Sequence, residues 1–263
     1  MNLKETITKR KSVRKYADTP VSQDLIDSIQ KDLSNYTCIF SDSKVRFEVI
    51  SNLKEEKDVS LGTLWGLLKI NSPCCILGIC EDSSQGMLDL GFALEQQVLK
   101  ITAAGYGSCW FGNFNANSFA HIGNLSSTEK IGIIISFGLP KEDTFLNTNF
   151  RKIAGSTKRK PISEICLNYD DIANNSTLIE LIHLSILAPS ANNAQPVRIG
   201  IDNNRADFYL TNNITIDAGI FISHFYLYAK SLFSQVSLIE DRPLVPAYTV
   251  PPASTCIASI IFK

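Results

Sequence analysis

The chain has 263 residues, 44% hydrophobic and 19% charged, with 25 Lys and Arg against 26 Asp and Glu. That composition suits a soluble globular protein with one large core or two moderate ones, and the near-zero net charge excludes a nucleic-acid partner, which would demand a basic excess. No apolar run reaches membrane-spanning length, the start "MNLKETITKRKS" lacks the apolar centre of a secretory signal, and the seven cysteines fall mostly inside apolar runs, so reduced thiols and a cytoplasmic location are expected, with no membrane partner.

In chain order, "SQDLIDSIQKDL" places Leu25, Ile26, Ile29 and Leu33 at helical spacing behind Ser22, which predicts a capped amphipathic helix. "KVRFEVI" alternates as a strand. "GTLWGLLK" reads as a short helix leading into the buried strand "CCILGIC", and Glu55 and Glu56 before it read as a solvated loop. "MLDLGFALEQQVLKITAAG" is a long helix ending at Gly105, and "KIGIIISFGLP" a buried strand closed by Gly138 and Pro140. A polar stretch from Lys141 to Lys160 is the candidate linker. Beyond it come the apolar helix "STLIELIHLSIL", the strand "PVRIGID", the helix "DAGIFISHFYLYAKSLF" and the strand "TCIASIIFK".

The two series answer each other. "KVRFEVI" matches "PVRIGID", the helix from Asp89 matches the helix from Asp217, and "KIGIIISFG" matches the terminal strand. Asp24 precedes Val45 by 21 positions and Thr177 precedes Val197 by 20, so order and spacing agree as well. This predicts an internal duplication, with halves at 1–165 and 166–263. The second copy is trimmed: 15 positions separate Asp202 from Asp217, where 39 separate Ile50 from Asp89. Each polar motif survives once. "KRKSVRKY" has no counterpart in the second half, and "PSANNAQP" none in the first, where "CIFSDSK" stands in its place. One composite site, shared by the two halves of a pseudo-dimer, would leave that pattern.

"KRKSVRKYADTPVS", "APSANNAQPV", "AAGYGSCWFGNF" and "KRKPISEIC" together resemble signature segments of the FMN-dependent nitroreductase family. The resemblance covers most of residues 8 to 165 and a partial second copy from about 176, as in single-chain members that imitate the family's homodimer. It implies an α+β nitroreductase-like fold, a central mostly antiparallel sheet flanked by helices, internally duplicated. It further implies one FMN, NAD(P)H as reductant, hydride transfer through flavin N5 in ping-pong fashion, and a small-molecule nitroaromatic or quinone-type acceptor. A monomer is expected, since the duplication supplies the pairing.

Arg10, Ser12 and Arg14 alternate, so an extended segment would put their side chains on one face, where two guanidiniums and a hydroxyl suit a dianion. The resemblance assigns Arg10 and Ser12 to the FMN phosphate and Arg14 to the pyrimidine edge of the flavin. It returns Arg159 and Lys160 to the phosphate and lays Pro189, Ser190, Ala191 and Asn193 against the pyrimidine edge and ribityl chain. It sets Gly112 and Asn113 where a backbone N–H meets N5, although Asn113 stands where the family often has glycine. Cys109 and Trp110 read as packing. Each assignment has a bland alternative: a solvated basic N-terminus, an exposed basic linker, and a hydrogen-bonding turn of Asn and Pro.

No catalytic side chain is required if the protein mainly positions the ring. His183 and His224 lie in apolar helices and read as core residues; with His121 they form no zinc spacing. "GYGSCWFG" follows a helix, which argues against a Rossmann phosphate loop. The rival reading is a degenerate member of the same fold, weak or empty in flavin binding, that serves as a binding or regulatory module.

Overall fold

The structure is a computed structural model and describes residues 2–40, 44–53, 61–63, 68–141, 158–239 and 248–263. The chain divides into two compact units, Met1–Asn2 with Lys9–Glu142, and Leu3–Thr8 with Asp143–Lys263. Elements run α1 (Leu3–Lys9), α2 (Gln23–Ser34), β1 (Arg46–Ile50), β2 (Leu61–Thr63), β3 (Leu68–Ile70), β4 (Cys74–Glu81), α3 (Ser84–Ala103), β5 (Gly107–Phe111) and β6 (Glu129–Gly138). After them come α4 (Ser176–Ile186), β7 (Val197–Asp202), β8 (Arg205–Leu210), α5 (Thr215–Leu232), β9 (Val236–Ile239) and β10 (Thr255–Phe262). Short helical turns lie at 116–123, 162–165, 169–172 and 191–193.

The first unit is built on a four-stranded antiparallel sheet in the order β1-β4-β6-β5. Ser83 starts α3 by accepting the Gly86 N–H (3.0 Å), and Gly105 (φ 85°) lets the chain turn away after it. Ser22 stands at the start of α2 as expected, but its carbonyl rather than its side chain takes the first amides. A Cβ on Gly78 would meet the Ile133, Leu94 and Leu90 side chains at about 3 Å, so α3 lies close against this face of the sheet. The opposite face carries Cys75, Leu77, Ile79, Ile131 and Ile134, packed with Phe111, Phe119, Val13 and Tyr16. Burial on both faces explains why β4 reads as an unbroken apolar run.

The second unit repeats this plan. Its sheet runs β7-β8-β10-β9, so both sheets place their strands first, second, fourth, third, with the long helix between second and third. The agreement extends to register. Between β4 and β6 a bulge falls where Gly78 gives way to Ile79, whose neighbours on β1 are Phe47 and Arg46. Between β8 and β10 the bulge falls where Phe208 gives way to Tyr209, whose neighbours on β7 are Ile199 and Arg198. An irregularity at the same register in two sheets is a strong mark of common origin within one chain.

The duplicated aspartates agree too. Asp89, fully buried on α3, accepts from the Tyr36 hydroxyl (2.7 Å), the Ile39 N–H (2.8 Å) and the Phe40 N–H (3.3 Å), fixing the chain that leaves α2. Asp217, buried in the first turn of α5, accepts the Ala191 N–H (3.0 Å) from the chain that leaves α4. The extra length of the first copy holds the β2–β3 hairpin. This corrects the helix expected at "GTLWGLLK": Gly62 and Thr63 pair with Lys69 and Leu68 as antiparallel strands. Glu55 and Glu56 and most of the candidate linker lie outside the described residues.

One face differs between the copies. Cys75, Leu77 and Ile79 of the first sheet are answered in register by Arg205, Asp207 and Tyr209 of the second. There Arg205 Nε donates to Asp207 (2.7 Å), as do the hydroxyls of Ser259 and of Tyr248 (2.6 Å for the latter), whose ring lies where a Cβ on Gly200 would be. The helix-facing side stays apolar, with Phe208 edge-on to Phe221 and Phe225. Within this second unit α1 is tied down by the Lys4–Glu180 ion pair (2.5 Å), with Glu180 also accepting from Tyr228 (2.9 Å). His224 is fully buried with Nδ1 3.2 Å from the Leu184 carbonyl, while His183, expected in the core, lies on the exposed side of α4.

Three substitutions test this packing. A Cβ at Gly107 would stand 2.5 Å from Val13 Cγ2, whereas one at Gly112 meets only Ile133 Cδ1 at 3.7 Å. Gly107→Ala is therefore expected to cost about 1–3 kcal/mol in urea unfolding, and Gly112→Ala to stay within about 0.5 kcal/mol of wild type. Asp89→Ala, which strands a hydroxyl and two amides in the interior, should cost about 2–4 kcal/mol by the same measurement.

Candidate functional site

In the first unit, residues 10–17 run extended along β5 and the end of β6. Ser12 bridges Ser108 in parallel, the Val13 N–H donates to Ser108 (2.8 Å), and the Ala17 N–H donates to Leu139 (2.8 Å). Val13 and Tyr16 turn inward, and the Tyr16 hydroxyl donates to the Val13 carbonyl (2.6 Å) and hydrogen-bonds the Ser136 hydroxyl (2.7 Å). Those two anchors set which side chains remain on the other face.

Arg10, Ser12 and Arg14 come together around Cys109. The thiol is pushed up by burial, against the pull of the Arg14 and Arg10 charges and a hydrogen bond from Ser12. Arg10 faces Glu95, a fully buried carboxylate on α3 that accepts from Trp110 Nε1 (3.1 Å). Burial lowers the proton affinity of Arg10, with Glu95 and Cys109 offsetting part of the effect. Its Nε is shut off from solvent and has no acceptor among the described residues. A buried guanidinium N–H left over in this way asks for an acceptor that the described residues do not supply.

Gly112 and Asn113 form an exposed turn at the far end of β5, four residues past Ser108. At the rise of a strand that is roughly 13 Å from the Ser12 end, so a single ligand touching both would be elongated. The fold itself does not need glycine at 112, since a side chain there would meet only ordinary contact.

In the second unit the structure brings together the other two predicted segments. Arg159 Nη1 donates to Asn193 Oδ1 (2.9 Å), Asn193 Nδ2 donates to the Lys158 carbonyl (2.8 Å), and the Lys160 N–H donates to Gln195 Oε1 (2.9 Å). Ser190 Oγ accepts the Gln195 N–H (3.0 Å). The basic arm at 158–160 is thus docked on the loop, not free in solvent, and Lys160 forms an ion pair with Glu164. The loop backbone is unusual: Asn192, Asn193 and Gln195 have φ of 51°, 56° and 49°. Non-glycine residues adopt that region sparingly, asparagine most readily, which explains the crowding of amides between Pro189 and Pro196. Beneath the loop a small hollow is lined by Ile165, Ile186, Pro189, Ser190, Asp217 and Phe221 among others. Ser190 and Pro189 are half-buried and Ala191 is exposed.

Sequence reasoning passed over Glu95 and Asp217 and took Cys109 and Trp110 as packing. A readable signal existed for Glu95, an acid in the middle of the apolar "LGFALEQQVL". Asp217 had a weaker one, since an acid in the first turn of a helix is ordinary.

Among the solved structures, a protein of Thermotoga maritima described as a "putative nitroreductase" superposes with a TM-score of 0.67 at 23% identity, covering 100% of this chain and 94% of that one. It shows the fold, an α+β nitroreductase fold of two antiparallel sheets flanked by helices. A nitroreductase with bound FMN from Bacteroides fragilis matches at 16% identity over 55% of this chain and 91% of its own, with a TM-score of 0.46. An FMN-dependent nitroreductase from Clostridium difficile matches at 22% identity over 53% and 88%, with a TM-score of 0.44. No curated protein matches the chain. The family model described as "Putative TM nitroreductase" matches residues 2–229. With that match over most of its length, and with both sheets in place, the chain belongs to this nitroreductase family.

Proposed function

We propose that the protein is an FMN-dependent oxidoreductase that takes reducing equivalents from NAD(P)H and passes them, in ping-pong fashion, to a nitroaromatic or quinone-type acceptor. The observation that carries the reading is Arg10: a buried guanidinium N–H without an acceptor among the described residues, beside Ser12 and Arg14 on one face. Two cations and a hydroxyl make a donor set for a phosphate dianion, so these residues fit the cofactor that the family resemblance implies.

FMN, when bound, supplies the hydride-accepting and hydride-donating chemistry at N5. Arg10 and Ser12 would hold its phosphate, with Arg159 and Lys160 adding charge. Arg14 would lie toward the pyrimidine edge, where a cation favours negative charge on the ring. Gly112 and Asn113 would offer backbone N–H groups to the ring, and Pro189, Ser190, Ala191 and Asn193 would present small side chains and an amide to its polar edge. Orientation and exclusion of water are the protein's contribution; no side chain has to move a proton. The seven free thiols, five of them buried, suit a reducing cytoplasm. We expect the protein to be a monomer.

The rival, a flavin-free binding module, draws on one observation. Asn193 and Gln195 already bond the 158–160 arm, so the loop is satisfied without a ligand. Titration of the purified protein with FMN, followed by flavin fluorescence, separates the two. One FMN per chain is expected, with Arg10→Ala weakening it about 10–100-fold, the worth of lost charge-assisted hydrogen bonds. Asn193→Ala should weaken it less, and NAD(P)H-quinone kinetics should give parallel double-reciprocal lines. A protein that binds no FMN sinks the oxidoreductase reading and leaves the rival.

A further inference from the structure

The loop between Pro189 and Gln195 holds three left-handed residues that are not glycine, and such a backbone persists only where its surroundings fix it. Two clamps do so. At one end the Asp217 carboxylate takes the Ala191 N–H on both oxygens (3.1 and 3.0 Å). At the other, Arg198 Nη1 donates to the Gln195 carbonyl (2.9 Å).

The duplicated half supplies the comparison. Asp89, the counterpart of Asp217, serves a hydroxyl and two backbone amides, and the Phe40 ring packs edge-on against Phe92 (5.6 Å). Aligned on α2 and α4, Tyr36 is replaced by Pro189, which has no hydroxyl and no N–H. Asp217 accepts the Ala191 N–H, and the hollow beneath the loop lies beside it. The aspartate of the first copy therefore serves a hydroxyl and two amides, and that of the second the Ala191 amide.

We propose that Asp217 is the positioning residue of this loop, holding Ala191 and the left-handed residues after it in the conformation that meets the flavin. What the loop serves rests on the flavin reading; how it is held does not. Burial raises the Asp217 carboxyl from 3.8 to about 6, with the Ala191 N–H opposing. No other titratable side chain lines the hollow among the described residues. The charges on the elements packed around it are Arg159 and Lys160 of the arm, Glu164 of the turn at 162–165 and Arg198 of β7, and these bond one another and the loop. The closed loop thus binds the proton more tightly than an opened one, in which Asp217 meets water. Raising the pH from about 4 to about 6 favours opening, by up to roughly 100-fold.

Amide hydrogen exchange read by NMR at Ala191, corrected for intrinsic rates, tests this. In the wild type, protection of Ala191 should fall as pH rises through that window. In Asp217→Asn, which keeps an acceptor oxygen and loses the charge, protection should persist and be flat with pH. In Asp217→Ala it should drop at least tenfold at every pH, while the amides within α5 stay protected. FMN affinity at pH 7 should follow, near wild type in Asp217→Asn and at least tenfold weaker in Asp217→Ala. A flat wild-type profile, or Ala191 still protected in Asp217→Ala, overturns the proposal, as does loss of protection without loss of affinity. Should Asp217→Ala not fold, the pH profiles of wild type and Asp217→Asn decide alone. A wild type that binds no FMN but shows the expected exchange removes the flavin reading and keeps Asp217 as the holder of the loop.

Discussion

A carboxylate in the first two turns of a long helix, bonded to backbone amides of the chain that arrives from the preceding helix, holds the turn between them in both halves. Backbone amides leaving a helix must find acceptors somewhere, and in a buried turn few are on offer. Asp89 and Asp217 meet that demand, each holding the chain that leaves the preceding helix. Each sheet's register follows from its first strand, down to the bulge at Gly78–Ile79 in one and Phe208–Tyr209 in the other. The long helix, the turn and the sheet are one mechanical unit, used twice.

On that frame the two copies have specialised in different ways. The first kept its turn closed with Tyr36 and Phe40, packed both faces of its sheet with apolar side chains, and carries the Arg10, Ser12 and Arg14 face on an added extended segment. The second lost the β2–β3 insertion, opened its turn into an amide-rich loop, and recruited the 158–160 arm to it. A homodimer must use one sequence for both jobs. A duplicated chain need not, and the distribution of polar motifs follows that freedom.

Much of this was legible in the sequence. The helices from Asp89 and Asp217 and the strands at 74–80 and 129–138 are long, periodic or continuously apolar, and side-chain pattern alone fixes such segments. The alternation of Arg10, Ser12 and Arg14 also carried over into space, because an extended segment preserves it. Other parts were hidden for identifiable reasons. β5 is "GSCWF", whose glycine and serine mimic a turn, and β8 is "RADFYL", one face of which is polar because Asp207 is satisfied by Arg205 of the same strand and by Ser259 and Tyr248 from distant positions. "GTLWGLLK" has helix-forming residues, yet its ends pair with each other as antiparallel strands. The role of Cys109 as the point on which three side chains converge depends on strand pairing, and no local pattern reports that.

The polar face of the second sheet bears on how such a chain folds at all. Two halves with the same strand order and register offer each other's strands as substitutes, so a nascent chain could complete one sheet with a strand of the other. With Asp207 standing where the first sheet has Leu77, a strand exchanged in that way would carry a carboxylate into an apolar core, away from Arg205, Ser259 and Tyr248. The penalty for that buried, unpaired charge is several kcal/mol, on the order of a domain's whole stability. The divergence of one residue face therefore acts as a proofreading step in folding, telling the chain which half it is building.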